Sequence, residues 1–253
     1  YVRYLKSDGA TDPTFEYTHN SLLGNNPVGP SDIAGTNPLD IDIADLDGDG
    51  DLDIVGAFQG YNSKSGITWI ENMIDSPING YNWDTKLIYS GDENKVPTVI
   101  NDMDFRYISV GDIDNDGDLD IVSGSNTHNS SATELGHINL YENDGASDPT
   151  WTKTTIDSYI PGYFVELADI DSDGDLDIVS ASKNPYGTTT YIDWYENDGA
   201  ATWTPAFTAA DINISANVAR DLHIADMDRD GDLDIVSASS GDNTIAWYEN
   251  DGA

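Results

Sequence analysis

Three features of the 253-residue sequence predict an all-β fold assembled from repeated four-stranded antiparallel sheets. A nine-residue acidic run occurs four times, starting at Asp45, Asp112, Asp169 and Asp226, with spacings of 67, 57 and 57 residues. A second run, an aromatic segment ending in Glu-Asn, recurs in step with it. No segment carries a helical hydrophobic period. Four short strands with their turns in each ~60 residues make one blade of a β-propeller. A β-sandwich does not predict such an internal repeat, and a calcium β-helix repeats about every nine residues.

The elements follow in the same order within each period. Strand A leads into the acidic run, at 39–44, 107–111, 164–168 and 222–225. Strand B leaves it, at 53–57, 120–124, 177–181 and 234–238, each beginning Asp-Ile-Val. Strand C holds the second marker, at 67–72, 138–143, 192–197 and 245–250. Asn-Asp-Gly follows it in the last three copies, a hairpin turn signal. Strand D is the most variable, at 83–89, 151–156 and 203–208. Small residues beside the A and B strand ends suit tight packing near a central axis. Residues 1–10 match the phase of 244–253, so the chain reads as one propeller domain over 1–253, with four full repeats plus a partial one. That makes 17 strands. Four acidic runs and a surplus C strand favour part of a larger ring, or an open array that needs neighbours. Tyr1 reads as a processed or truncated start.

The acidic runs carry chemistry. They are Asp45, Asp47, Asp49, Asp51 and Asp53 (45–53); Asp112, Asp114, Asp116, Asp118 and Asp120 (112–120); Asp169, Asp171, Asp173, Asp175 and Asp177 (169–177); and Asp226, Asp228, Asp230, Asp232 and Asp234 (226–234). Carboxylates at positions 1, 3 and 5 of a tight loop converge on one point, and glycine at position 6 permits the sharp turn. Position 7 would offer its backbone carbonyl and position 9 would close the shell. Five aspartates in nine residues repel one another, and a cation relieves this. The expected cofactor is Ca²⁺, about four ions, one per complete repeat. No helix pattern flanks the loops, so they are not EF-hands.

Composition bounds the partners. There are 47 acidic and 10 basic residues and no cysteine, for a formal net charge of −37. Four divalent cations would still leave roughly −29, which argues against nucleic acid and anionic membranes as partners. Without disulfides, calcium is the available staple. Calcium is millimolar only outside cells, so an extracellular or cell-surface location is expected. An ion held with Kd ~100-fold below ambient calcium adds roughly 2.7 kcal/mol per site. No apolar run reaches the ~20 residues of a membrane span.

Asp-x-Asp-x-Asp-Gly-Asp-x-Asp-Ile-Val at this period resembles the FG-GAP/VCBS repeat family, which includes the propeller of integrin α-subunits. The resemblance covers nearly the whole chain. It implies a propeller with Ca²⁺ in the A–B hairpin of each blade. The implied ligands are the side chains at loop positions 1, 3, 5 and 9 and the carbonyl at position 7, and all four copies supply those residues. Family rings usually close with seven blades, so four loops are a departure.

The loops opposite the calcium face vary, and they suit a glycan or protein ligand. Candidate contacts there are Tyr61, Asn62, His128, Lys183 and Tyr186, with Arg106 and Arg220 placed just before A strands. Catalysis has little support. The position three before each acidic run holds Asp42, Ser109, Glu166 and His223, expected to line a solvated polar tunnel, too far apart for a proton relay. No phosphate loop, zinc spacing or nucleophile elbow is present. The expected function is non-enzymatic: a calcium-stabilised adhesion, recognition or structural module. The alternatives are a filament or surface-array subunit that self-assembles through incomplete terminal blades, and an enzyme like the polysaccharide lyases that resemble this repeat.

Overall fold

A computed structural model describes residues 5–7, 15–17, 37–59, 65–73, 83–90, 103–127, 136–158, 162–183, 190–199, 208–211, 216 and 218–252. Every element among them is a strand. The first sheet is a pair, β1 (Leu5–Ser7) and β2 (Phe15–Tyr17). Blade 1 is β3 (Asn37–Ala44), β4 (Asp53–Gln59), β5 (Gly66–Asn72) and β6 (Trp83–Ser90). Blade 2 is β7 (Met103–Gly111), β8 (Asp120–Thr127), β9 (Gly136–Asn143) and β10 (Trp151–Asp157). Blade 3 is β11 (Gly162–Ala168), β12 (Asp177–Lys183), β13 (Thr190–Glu196) and β14 (Thr208–Asp211). Blade 4 has three strands, β15 (Ala219–Ala225), β16 (Asp234–Ser239) and β17 (Thr244–Tyr248).

Every sheet is an antiparallel meander in chain order, as short turns between neighbouring strands require. The β1–β2 register, Ser7 opposite Phe15, matches that of β9–β10, Asn143 opposite Trp151. The partial repeat is therefore a C–D hairpin. The expected all-β class, the strand types and their order hold. Ring closure is not seen among the described residues.

The four blades stack in series, and the core lies between them. Strand A of each blade sits on strands A, B and C of the blade before it: β7 on β3, β4 and β5; β11 on β7, β8 and β9; β15 on β11, β12 and β13. Three apolar layers result. Val55, Ile67 and Trp69 of blade 1 meet Phe105, Ile108 and Tyr141 of blade 2. Val122, Ile138 and Leu140 meet Val165, Ile178 and Tyr195. Val179, Ala181 and Ile192 meet Leu222, Ile224 and Ile235. Because both faces of an inner blade are covered, strands B and C read as continuous apolar runs rather than alternating ones.

Two expectations shift. Strand A begins earlier than the apolar pattern suggests, because a β-bulge interrupts it at the same place in all four blades. Arg106 and Arg220 occupy that bulge, inside the strand rather than before it. A bulge leaves one residue unpaired and re-aims its side chain, which breaks the period-2 pattern read from sequence. The fourth strand of blade 3 lies at Thr208–Asp211 rather than 203–208. Residues 203–207 lie outside the described residues.

Candidate metal centre

Each acidic run forms the turn between strands A and B, and its own carboxylates build the turn. In blade 1, Asp45 accepts from the amides of Asp49 (3.1 Å) and Gly50 (2.9 Å). Asp47 accepts from Asp49 N at 3.3 Å and Asp49 accepts from Asp51 N at 2.8 Å. The third run repeats these bonds through Asp169, Asp171 and Asp173. Position 6 glycines have φ between +95° and +107°. Position 4 is left-handed too, at Gly48, Asn115, Ser172 and Arg229. Four unrelated side chains share that conformation, which only Gly and Asn adopt cheaply. The carboxylate cage, not residue preference, imposes it.

Position 9 is the inner anchor. Asp53, Asp120, Asp177 and Asp234 are each at most 1% exposed. In every blade one carboxylate oxygen accepts the amide of position 2, at 3.2, 3.1, 3.0 and 2.9 Å. The other accepts the amide of the marker asparagine on strand C or just after it, at 2.7, 2.9, 2.7 and 2.9 Å. Burial pushes the carboxyls of Asp53 and Asp177 up to about 6 and that of Asp120 up to about 7, against the pull of those amides. Asp234 goes the other way. Its bonds from Asn250 and Met227 hold it below the usual carboxylate range.

One oxygen from each of positions 1, 3 and 9 lies within 4.8 Å of the others in the first three loops: Asp45, Asp47 and Asp53; Asp112, Asp114 and Asp120; Asp169, Asp171 and Asp177. In the fourth loop the set is Asp226, Asp228 and Asp230. There Asp226 accepts from Arg229 N at 2.6 Å. Positions 1 and 3 thus converge in all four loops, with position 9 completing three and position 5 the fourth. At position 7, three side chains pack on the turn glycine instead. A Cβ on Gly145, Gly199 or Gly252 would stand about 2 Å from an oxygen of Asp118, Asp175 or Asp232.

Two neighbours of the loops, both in the Glu-Asn marker, have roles that the repeat alone does not reveal. The marker glutamates flank position 3. Burial, then the charge of Asp47, raises the Glu71 pKa, while Lys86, at 3.0 Å, offsets part of this. Burial and Asp114 raise Glu142 in the same way. The marker asparagines are the second. Asn143 Nδ2 donates to Leu46 O of the preceding loop (2.9 Å) and to Leu119 O of its own (3.1 Å). Asn197 joins Ile113 O and Leu176 O, and Asn250 joins Ile170 O and Leu233 O. Their Oδ1 atoms accept from Gly145, Gly199 and Gly252 of the following turn. Each asparagine therefore ties its own acidic loop to the preceding one. Asn197→Ala strands two carbonyls and one amide. The expected cost is about 2–3 kcal/mol in chemical denaturation, and a change below ~0.5 kcal/mol would refute this role.

The residues three before each run do not simply line a tunnel. Asp42 Oδ2 accepts from Val110 N (2.9 Å), Ser109 Oγ from Leu167 N (3.2 Å), and Glu166 from Ile224 N. Each caps the strand-A amide of the following blade. Glu166 Oε1 and His223 Nδ1 are 3.2 Å apart, so these two are close enough to share a proton, contrary to expectation. Burial raises Glu166, and His223 pulls it back.

Of the candidate ligand-face residues, Tyr61, Asn62, His128 and Tyr186 lie outside the described residues. Lys183 ends β12. Arg106 is half-buried, and exposed Arg220 donates from Nε to Ser240 Oγ at 3.1 Å while its carbonyl accepts from Tyr107 OH at 3.3 Å.

The FG-GAP-like repeat model matches residues 112–180 and 169–237, and each match spans two consecutive acidic runs. The chain carries FG-GAP-like repeats. The overlapping matches share the period seen in the blades, and the run at 45–53 repeats the same pattern ahead of them. No curated protein matches the chain. Among the described residues no helix is long and apolar enough to cross a membrane.

Proposed function

We propose that each acidic loop holds one Ca²⁺, and that the FG-GAP-like repeats form a calcium-stiffened propeller module working outside the cell or on its surface. The observation that carries this is the convergence of three carboxylates in every loop. In the second loop Asp112 Oδ1 is buried with no hydrogen-bond donor, so an oxygen there is left for another partner. The donor set is oxygen alone, which suits a hard cation and not zinc. Positions 1 and 3 with position 9 or 5 would hold the ion, joined by the carbonyl of position 7. The bound ion would cancel the repulsion among the aspartates and pin the end of strand A to the start of strand B. The residues themselves fix the turn, keep position 9 dry and join loop to loop.

Asp114→Asn tests this. Asp114 lies in the cluster, and its Oδ1 accepts the loop amide of Asp116 (3.1 Å), a bond an amide oxygen can keep. Thermal unfolding should show a loss of about 2–3 kcal/mol in millimolar calcium and little change in chelator. Equal losses in both would defeat the calcium assignment.

The module's role is recognition or adhesion of a glycan or protein partner, with no catalytic step assigned to it. The irregular loops and the arginines at the strand-A bulges support a ligand face. A polysaccharide and glycoprotein array read in calcium and again in chelator checks it. Calcium-dependent capture of one ligand class supports recognition, and no capture by a folded protein favours a purely structural role.

A further inference from the structure

The first acidic loop has a charged neighbour that the second does not share. Lys86 lies on β6, opposite Trp69 of β5. Three partners fix its ammonium: Glu71 Oε2 at 3.0 Å, Asp148 Oδ1 at 2.8 Å, and the face of Trp69, whose ring centroid is 4.2 Å away. Trp69 is buried, and the Glu71 side chain is 12% exposed. Asp148 follows β9, so the lysine reaches from blade 1 to blade 2. Glu71 in turn meets the Asp47 carboxyl, position 3 of the first loop. A fixed positive charge therefore stands one carboxylate away from the candidate metal ligands.

The following blades fill the same place differently. The register puts Thr154 opposite Leu140 in blade 2 and Ala210 opposite Trp194 in blade 3. Thr154 Oγ1 donates to Glu142 Oε2 at 3.4 Å, a contact without charge of its own. Lys153, the residue before it on β10, serves the other face of the sheet. Its Nζ is 3.1 Å from Tyr89 OH and 4.4 Å from the centroid of that ring. Among the described residues no cation pairs with Glu142. Glu142 thus keeps its negative charge beside Asp114, whereas Lys86 cancels that of Glu71 beside Asp47.

A divalent cation responds to the summed charge around its site. An extra carboxylate beside the shell raises its affinity, and an ammonium held on that carboxylate removes the gain. We propose, resting on the calcium assignment of the loops, that Lys86 is an internal counter-cation that lowers the calcium affinity of the first loop, and that the strand-D residue at this register sets the affinity of each site. Lys86 also joins Glu71 to Asp148 of the next blade with no ion present. The joint between blades 1 and 2 is therefore tied by a bond that needs no calcium.

Calorimetric titration of the whole chain with CaCl₂ at low ionic strength tests this. Lys86→Thr should tighten the first site about 5-fold, and Thr154→Lys should weaken the second by a similar factor. Lys86→Arg keeps the charge and should keep the wild-type affinity. Asp47→Asn removes position 3 of the first loop, and in that background Lys86→Thr should change no remaining site. Both shifts should fade in about 1 M NaCl, where the screening length falls to ~3 Å. A role in packing alone would not respond to salt in this way. Melting in chelator shows whether each variant folds. The two substitutions act in opposite directions at different loops, so misfolding of one leaves the other as a full test. Calcium affinity that stays unchanged in either folded variant, or that falls in Lys86→Thr, would overturn the role of Lys86 and leave the calcium assignment standing. So would a Lys86→Thr gain that persists in the Asp47→Asn background. A folded wild type that takes up no calcium would overturn both.

Discussion

Asp120→Ala should destabilise the protein by about 3 kcal/mol in chelator, and by more in millimolar calcium. Asp120 is 1% exposed, and its two oxygens accept the amides of Ile113 at 3.1 Å and Asn143 at 2.9 Å. Alanine leaves both amides buried and unbonded, at about 1–3 kcal/mol each. Removing a carboxyl that burial already holds up to about 7 returns part of that. The effect does not wait for an ion, because both amides lie within the blade. This separates position 9 from position 3. Asp114→Asn should act through the cation alone, and Asp120→Ala through the backbone as well as the cation. Urea unfolding of both variants with and without calcium gives four numbers. An Asp120→Ala loss seen only in calcium would show that position 9 acts only as a ligand.

The second large effect concerns pH. In chelator, the melting temperature should rise as pH falls from about 8 to about 5, by an amount of order 5 °C. Asp53, Asp120 and Asp177 have carboxyls raised by burial from 3.8 to about 6, 7 and 6. In that window the folded state holds more protons than the unfolded state. Stability is therefore fully present below the unfolded value and is lost as pH rises through the folded values. Repulsion among the loop aspartates acts in the same direction. Calcium competes with the same protons, so in millimolar calcium the slope should flatten or reverse. The gap between the two melting curves should widen toward high pH. A chelator curve that falls on acidification would refute the buried-carboxyl account.

Much of this fold is legible in the sequence because the repeat samples the same constraints four times. The acidic runs locate every A–B turn, and Asp-Ile-Val fixes the start of strand B to the residue. The C–D hairpin nature of the first sheet follows from the match between residues 1–10 and 244–253. What is not legible depends on partners in a neighbouring blade. Asn143 reads as a turn residue, and its reach to Leu46 O exists only once two blades stack. Glu166 and His223 hold the same phase in successive repeats, 57 residues apart, and meet only because adjacent A strands lie side by side. The bulge at Arg106 is hidden because it interrupts the alternation used to find the strand. Within the candidate metal site, positions 1 and 3 behave as spacing predicts. Position 9 is occupied on both oxygens by amides, a role that motif reading assigns to no residue.

The capping contact between successive A strands has a consequence for how the chain can change length. Asp, Ser and Glu all perform it, so the position asks only for an acceptor of hydrogen bonds. The asparagine link makes a similarly loose demand on the preceding loop, since it addresses a main-chain carbonyl. Neither contact identifies which blade stands next to which. Gain or loss of one whole period reconnects the same donors to the same acceptors, and a fraction of a period does not. The ten-residue longer spacing between the first two runs is absorbed between blades, leaving the joint itself unchanged. Interchangeable units of this kind let an array lengthen or shorten by recombination while every junction stays saturated.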